Sequence, residues 1–435
     1  MSNINDFVIE EGVLKKYRGK SDRVTIPDGV TEIGKSAFYG CRSLAEITIP
    51  SSVQSIGPSA FKDCRSLTGI TIPDSVKSIG DHAFKWCASL TDVILPSSLT
   101  SIKRSVFYNC TSLTNITIPD SVTSIEDSAF FGCSSLTNVT VPDSVKSIGP
   151  YAFSGCRSLA ESVLPSTLTS IEKSVFSGCF SLKSIALPNS LTRIGDSAFS
   201  FCAALAGVII PGSVTSIGSF AFCGCRDLTD IRIPASVKEI GTAAFSSCAS
   251  LESIEVDEKS EGFTSLDGNL YTKDKKRLMQ YAIGKRDTSF AIPDSVTVIG
   301  SEAFSGSSLL TQIIIPDSVE SIENNAFDGC VSLTELILPN SITRIERNAF
   351  FDCTSISTLV IPDSMTEIEK YTFSALTSLK SITLPRNLKS IGKGAFNLCG
   401  ELTDIYFAGS EEEFRRAGGF KAIVSLGKIN LHFGN

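Results

Sequence analysis

The chain has 435 residues, of which 39 are basic and 46 acidic, so its net charge is −7. This balance argues against a protein that binds nucleic acid through the phosphate backbone, because that class requires a basic stripe. We expect no membrane-spanning helix, because no run of about 18 apolar residues is present, and no secretory signal, because the start MSNINDF has neither a basic nor an apolar stretch.

From Pro27 onward the sequence repeats with a period of 23 residues. Isoleucine follows each repeat's proline after six residues and phenylalanine after 11. One coil cannot bury its apolar residues alone, whereas stacked coils can, so the period predicts a repeat solenoid. The prolines are Pro27, Pro50, Pro73, Pro96, Pro119, Pro142, Pro165, Pro188, Pro211 and Pro234, then Pro293, Pro316, Pro339, Pro362 and Pro385.

Each coil is predicted to be mostly extended. Ile47 and Ile49 alternate with a threonine, which indicates a short strand with one face toward the core. Pro50 ends that strand because it has no N–H to donate. Residues 53–56 predict a second extended stretch, and residues 59–64 predict one helical or 3₁₀ turn.

The two ends depart from the repeat and are predicted to be caps, because a solenoid end exposes apolar interior. Residues 1–26 alternate around Glu11-Gly12, which predicts a β-hairpin. In residues 408–435, Ser410 and Glu413 form a predicted capping box, Gly418 can end the helix, and residues 429–433 predict a closing strand.

The repeat is interrupted between two blocks, residues 27–256 and 293–407. The intervening segment, 257–292, has two apolar strands around the charged turn 273–276, which predicts a β-hairpin insertion. We expect this hairpin to leave the stack and return without ending the solenoid. A hinge between two independent blocks is the alternative.

The repeat unit LxxIxIPxxVxxIGxxAFxxC resembles the BspA-like leucine-rich repeats, a bacterial and protist family with a 23-residue unit. The resemblance covers residues 27–405. It implies a right-handed curved leucine-rich-repeat solenoid, mostly β with short helical or 3₁₀ turns and hairpin caps. It also implies binding of proteins or surfaces, often in adhesion. It implies a cell-surface or secreted location if a signal was removed, and without one we expect the cytoplasm.

Residues for catalysis or metal binding are sparse, so we expect no enzyme, no cofactor and no metal. The two histidines, His82 and His432, lie far apart in the sequence. Cys223 and Cys225 are separated by one residue, which is not a zinc-ligand spacing. Serines such as Ser52 recur at bends, where their hydroxyls can satisfy backbone groups, and a nucleophilic serine would need an adjacent base.

Thirteen of the 14 cysteines occupy one position of the repeat. Leu376 fills the same position in another coil, so we expect a buried apolar site in which cysteine acts as a small hydrophobe without forming disulfides. Cys223 lies outside this set, and we expect it to be the cysteine most reactive to alkylation. The set is Cys41, Cys64, Cys87, Cys110, Cys133, Cys156, Cys179, Cys202, Cys225, Cys248, Cys330, Cys353 and Cys399.

The residue two positions before each proline is predicted to point outward, and threonine fills it in many coils. In the second block Ile314, Ile337 and Val360 fill it, so the fold does not require these apolar side chains there. An exposed apolar ridge favours a binding site, although the preference of β-branched residues for strands explains the pattern as well. The candidate protein-binding residues are Arg232, Ala291, Gln312, Ile314, Glu335, Ile337 and Val360.

These observations favour a non-enzymatic protein-binding scaffold that uses its strand face, and the resemblance implies adhesion or interaction with a host or surface. Because Gln312 and Glu335 flank the ridge, we expect a protein partner that is neutral to basic and partly apolar. We expect a monomer that binds no nucleic acid and does not insert into membranes. The alternative function is a structural, self-assembling element.

Overall fold

The computed structural model describes residues 4–434, so the first three residues of the predicted N-terminal cap and the last residue of the C-terminal cap lie outside the described residues. The chain folds into two compact units. The first runs to Leu228 and includes Glu239–Ala244, and the second comprises Thr229–Lys238 and the chain from Phe245 onward. Each unit is a β-solenoid with very little helix, which confirms the predicted fold class.

The first unit begins with a 3₁₀ turn at Ile4–Asp6 and a hairpin of β1 (Phe7–Glu10) and β2 (Val13–Tyr17). Its longer strands are β3 (Arg23–Thr25), β5 (Glu46–Thr48), β7 (Gly69–Thr71), β9 (Asp92–Ile94), β12 (Asn138–Thr140) and β14 (Glu161–Val163). Its two-residue strands are β4 (Glu32–Ile33), β6 (Ser55–Ile56), β8 (Ser78–Ile79), β10 (Ser101–Ile102), β11 (Ser124–Ile125), β13 (Ser147–Ile148), β15 (Ser170–Ile171), β16 (Arg193–Ile194), β17 (Ser216–Ile217) and β19 (Glu239–Ile240).

The second unit contains β18 (Asp230–Ile233), β20 (Ser253–Val256), β24 (Ser289–Ala291), β26 (Gln312–Ile314), β29 (Thr358–Val360), β31 (Ser381–Leu384), β33 (Asp404–Phe407) and β34 (Asn430–Phe433). Its two-residue strands are β25 (Val298–Ile299), β27 (Ser321–Ile322), β28 (Arg344–Ile345), β30 (Glu367–Ile368) and β32 (Ser390–Ile391). The interrupting segment forms β21 (Phe263–Leu266), β22 (Asn269–Thr272) and β23 (Arg277–Gln280), and the helices are α1 (Glu411–Arg416) and α2 (Gly419–Ala422).

Equivalent residues of neighbouring coils pair in parallel register. Val24 pairs with Ile47, and Ile33 with Ile56, each one period later in the chain. Along a strand the central residue is buried and its neighbours are exposed, as in β5. The period of the sequence therefore sets the register, because a shift by one residue would turn the apolar side chains outward.

The phenylalanines of successive coils stack into a ladder at the centre of each unit. Ring centroids lie 5.1 Å apart for Phe38 and Phe61 and 5.7 Å apart for Phe153 and Phe176, with nearly parallel planes. Tyr17 of the N-terminal hairpin continues the ladder in the first unit, and Tyr281 does so in the second. The N-terminal hairpin and the interrupting segment thus each supply an aromatic ring to the ladder of the coils that follow them.

The predicted helical or 3₁₀ turn is a series of β-turns. Hydrogen bonds run from Ala60 N to Gly57 O and from Cys64 N to Phe61 O, both at 3.2 Å. Ser59 and Asp63 have left-handed backbones, with φ of 57° and 64°, and so prevent a regular helix. The amides of Ser59, Phe61 and Asp63 instead donate to carbonyls of the next coil, each at 2.8 Å.

The interruption and the caps contain the predicted local structures. β22 and β23 are antiparallel around the charged turn at residues 273–276, and β21 adds a further antiparallel strand to β22. β23 then pairs in parallel with β25, so the hairpin joins the coils that follow it. At the C-terminus the capping box of Ser410 and Glu413 is present, Gly418 is left-handed after α1, and β34 pairs in parallel with β33.

Candidate protein-binding surface

The predicted ridge is formed by Ile314, Ile337 and Val360, the outward residues of three successive coils of the second unit. Their side chains are 51%, 79% and 62% exposed, respectively. On either side of Ile314, Ile313 and Ile315 are buried in the core. Strand alternation therefore holds three large apolar side chains in solvent, at a position where other coils place threonine.

The strand ladder under the ridge is interrupted at its middle coil. β26 pairs with β24, and β29 pairs with β31. Between β26 and the coil of Ile337, the described residues show one isolated bridge, from Gln312 to Glu335. The strand that the repeat predicts at Ile337 is therefore not formed, and this part of the prediction is wrong. Ile337 is also the most exposed of the three ridge residues.

A polar edge runs beside the ridge. Ser289 Oγ donates to Gln312 Oε1 at 3.3 Å, and Gln312 Nε2 donates to Glu335 Oε2 at 3.0 Å. These two hydrogen bonds orient the side-chain amide of Gln312. The exposed carboxylate of Glu335 is the last group in the series. The edge therefore presents a negative charge next to an apolar surface.

The two remaining predicted residues occupy different places. Ala291 is exposed and is the register partner of Ile314, so it extends the ridge with a small side chain. Arg232 lies on β18 opposite Glu255, and its Nη2 lies 3.6 Å from Asp257 Oδ2. The groove that Arg232 lines contains none of the ridge residues. Ala291 thus adjoins the ridge, whereas Arg232 lines a groove formed by other residues.

A groove on the strand face of the first unit was not selected from the sequence. Its volume is about 1110 Å³, and Thr48, Thr71 and Ile94 are among the residues that line it. Arg23 Nη2 and Glu46 Oε1 form an ion pair at 3.0 Å on its surface. The sequence predicted that Thr48, Thr71 and Ile94 point outward, but it did not predict a groove. The one sequence signal for it is the pair of opposite charges one period apart, at Arg23 and Glu46.

The repeated cysteines serve the packing of the coils. Cys64 Sγ donates to the carbonyl of Phe38, and Cys87 Sγ donates to that of Phe61, both at 3.1 Å. Burial raises the pKa of the Cys87 thiol to about 12, so this group stays protonated as a donor. Cys64, Cys87, Cys110 and Cys133 are among the free thiols of this structure. The position thus suits a small side chain that can both pack and donate.

The structure corrects the expectation that Cys223 is the most reactive cysteine. Cys223 is only 9% exposed, whereas Cys41 is half-buried. Burial raises the pKa of the Cys41 thiol, and the neighbouring Lys16 ammonium opposes this effect. Accessibility therefore points to Cys41, which lies in the first repeat coil.

The histidines lie in different units and have different surroundings. Burial lowers the pKa of His82, and the ammonium of Lys85 acts in the same direction. His432 Nε2 lies 2.8 Å from Asp404 Oδ1, and its ring stacks on Tyr406. Within residues 4–434 no group of three or more His, Cys, Asp and Glu side chains is arranged to hold a metal ion. None of the helices in this range has the length and apolarity needed to span a bilayer.

Known proteins share this repeat along almost the whole chain. The family model for the BspA type leucine rich repeat region matches residues 9–137, 123–252, 192–275 and 297–418. A leucine rich cell surface protein from Faecalibacterium prausnitzii A2-165 is 30% identical, with 96% of this chain and 94% of that chain covered and a TM-score of 0.55. A leucine-rich repeat protein from Bacteroides ovatus is 28% identical, with 99% and 100% covered and a TM-score of 0.55. No curated protein sequence matches this chain.

Proposed function

Because the chain belongs to the BspA-type leucine-rich repeat family, we propose that it is a non-enzymatic protein-binding scaffold that uses the strand face of its second unit. The similar structure from Faecalibacterium prausnitzii is that of a cell surface protein. By extension we propose a cell-surface or secreted location for this chain, with adhesion or interaction with a host as the setting.

The exposure of Ile314, Ile337 and Val360 carries this proposal. Each is more than half exposed, although the same position accepts threonine in coils such as those of Thr48 and Thr71. Contiguous exposed apolar side chains rimmed by polar groups are typical of protein interaction sites. The ridge provides the apolar centre of such a site.

The polar edge of the ridge supports a particular chemistry for the partner. Glu335 presents an exposed carboxylate, and Gln312 is oriented toward it at 3.0 Å. A partner with an apolar patch bordered by lysine or arginine would match both features, since opposite charges at a rim favour encounter and register. The proposed partner is therefore a neutral to basic, partly apolar protein surface.

The double variant Ile314→Thr/Ile337→Thr tests the site. We expect its free energy of unfolding to change by no more than about 0.5 kcal/mol, because the side chains are exposed. Partner binding should weaken by about 1.5–3 kcal/mol for each isoleucine that the complex buries. The readout is the set of proteins captured from membrane and soluble fractions of the native host, quantified by mass spectrometry and followed by affinity measurement.

A matched control is available in the first unit. Ile94 and Ile209 occupy the same outward position and are 62% and 87% exposed, so Ile94→Thr/Ile209→Thr makes the same chemical change elsewhere. Partner capture should survive this control. Equal capture by the ridge variant and the parent, or unfolding of the ridge variant, would show that the ridge is not the binding site.

Self-assembly through the same ridge is the second candidate function, because an exposed apolar surface can also pair with a second copy. Light scattering at two protein concentrations separates the two functions. A monodisperse monomer at both concentrations excludes self-assembly. Concentration-dependent association that Ile314→Thr/Ile337→Thr abolishes would instead replace the scaffold proposal.

A further inference from the structure

A row of aromatic and cationic side chains runs along the turns of the first unit; we name it the cation–aromatic row and define it as Tyr39, Lys62, Lys85, Trp86 and Tyr108. Lys62 Nζ lies 5.6 Å from the ring centroid of Tyr39 and 5.1 Å from that of Trp86. Lys85 Nζ lies 4.8 Å from Trp86 and 4.1 Å from Tyr108. Cations and rings thus alternate over four successive coils.

The fold does not require these residue types. Tyr39, Lys62, Lys85 and Tyr108 all stand 12 residues after a proline. Later coils of the same unit place serine there, at Ser154, Ser177 and Ser200. Trp86 has a left-handed backbone with φ of 66°, where a smaller residue or glycine would cost less. The repeat therefore folds without these aromatic and cationic residues, and their presence in the row needs another explanation.

The positive charge of the row is not neutralised by the protein. Among the described residues, neither Lys62 nor Lys85 takes part in an ion pair, and the same holds for the neighbouring Arg104. The nearby carboxylate of Asp63 already forms ion pairs with Arg42 at 2.8 Å and with Arg65 at 2.6 Å. Burial lowers the pKa of Lys85, and the charges of Lys62 and Arg104 lower it further. Like charges are thus held together on a chain whose net charge is −7.

The orientation of the rings limits what can bind. Lys85 from the preceding coil lies over Tyr108, and Phe131 from the following coil stacks on Tyr108 at 4.7 Å. Both lysines lie over the Trp86 ring. Nucleobases bind by stacking on aromatic faces, and each ring of the row already has an ammonium group over it. The ammonium groups favour carboxylates, and so do the edges of the rings, which carry partial positive charge.

We propose that the cation–aromatic row binds an acidic peptide segment of a partner protein, with glutamate or aspartate carboxylates on Lys62 and Lys85 and against the edges of Tyr39, Trp86 and Tyr108. This surface lies in the first unit and has the opposite charge preference to the apolar ridge of the second unit. It is thus a second interaction surface, independent of the proposed function.

The single tryptophan of the chain makes the row observable, since Trp86 is the only source of tryptophan fluorescence. The full chain is titrated with a peptide of alternating glutamate and serine, and with a matched peptide of alternating glutamine and serine. We expect a saturable change in Trp86 fluorescence with the glutamate peptide only. Its affinity should fall as salt is raised, because exposed charges are screened.

Two double variants separate local contacts from net charge. Lys62→Gln/Lys85→Gln should weaken binding of the glutamate peptide by about tenfold, as expected for the loss of two exposed ion pairs. Lys146→Gln/Lys183→Gln makes the same change of net charge elsewhere in the first unit and should alter affinity by less than about twofold. Thermal unfolding of the first variant should match the parent, and the single variant Lys85→Gln carries the test if the double variant unfolds.

Three results would overturn the proposal. The first is an unchanged Trp86 signal with the glutamate peptide. The second is an equal loss of affinity in both double variants, which would mean attraction by net charge alone. The third is tighter, equally lysine-dependent binding of a sulfated glycan or of single-stranded oligothymidine, which would assign the row to another class of polyanion.

Discussion

Two residues of each coil adopt a left-handed backbone, and most of them are not glycine. They stand nine and 13 residues after the proline, as Ser59 and Asp63 do in the coil of Pro50. A left-handed conformation costs a residue with a Cβ roughly 1–2 kcal/mol. The hydrogen bonds that these turns form to the next coil offset that cost, so the fold tolerates many residue types there.

Replacing Leu398, which has φ of 61° and is 70% exposed, with glycine should therefore stabilise the protein. We expect the free energy of unfolding to rise by about 1 kcal/mol, because glycine removes the torsional cost while little packing is lost. Gly329 occupies the equivalent position with φ of 70°, and a Cβ there would have no neighbour closer than 3.8 Å. Gly329→Ala should lower stability by about the same amount. Chemical denaturation of the full chain measures both, and destabilisation by Leu398→Gly would mean that packing of the leucine outweighs its backbone strain.

Within the turns of the second unit, three acidic side chains come together. Burial raises the pKa of Asp328 to about 6, and the carboxylates of Glu302 and Asp352 add to the effect. Glu302 is itself held by a hydrogen bond from Ser246 Oγ at 2.5 Å. The folded state therefore favours the protonated form of Asp328, and this turn is a source of pH-dependent stability.

The raised pKa of Asp328 determines the direction in which stability changes with pH. Asp328 contributes stability below its unfolded pKa, near 3.8, and that contribution is lost as the pH rises through about 6. Asp328→Asn should therefore raise the melting temperature relative to the parent at pH 7, and the difference should vanish near pH 4. The exposed Asp317→Asn is the control for the change of net charge. A difference between Asp328→Asn and the parent that is the same at both pH values would contradict the assignment.

Across each whole unit, stability is expected to be the sum of contacts between neighbouring coils. Phe130 is fully buried and stacks between Phe107 at 5.5 Å and Phe153 at 5.2 Å. Its removal therefore affects two coil interfaces directly, while coils farther along the first unit keep their own contacts.

Phe130→Ala should lower the free energy of unfolding by about 3–5 kcal/mol, because it leaves a cavity in the ladder. Hydrogen exchange should show the largest loss of protection at the amides of Phe107 and Phe153 and a small loss at that of Phe38, several coils away. The neighbouring Phe131→Ala, which removes a half-buried ring, should cost about 1 kcal/mol. A uniform loss of protection across the first unit would show instead that the coils unfold as one cooperative block.

The sequence by itself determined the repeat, the strands of most coils, the buried ladders and both ends of the fold. Inward residues such as Ile56 and Phe61 meet the same residue types one period away. Local pattern and tertiary contact therefore coincide, and the repeated pattern predicts the solenoid. The outward ridge followed from the same rule, since strand alternation decides which side chains leave the core.

Some features depend on how closely neighbouring coils approach each other, and only the tertiary structure decided these. The left-handed positions take residues as different as Ser59, Trp86 and Gly329, because hydrogen bonds between coils hold them and residue type alone does not. The broken ladder at Ile337 and the greater exposure of Cys41 than of Cys223 likewise depend on local packing at particular coils. The cation–aromatic row joins residues of successive coils, such as Lys62 and Trp86, whose rings and ammonium groups meet only when the coils stack. Sequence periodicity specifies which residues become neighbours, whereas the distances and directions between their side chains arise from the packed turns.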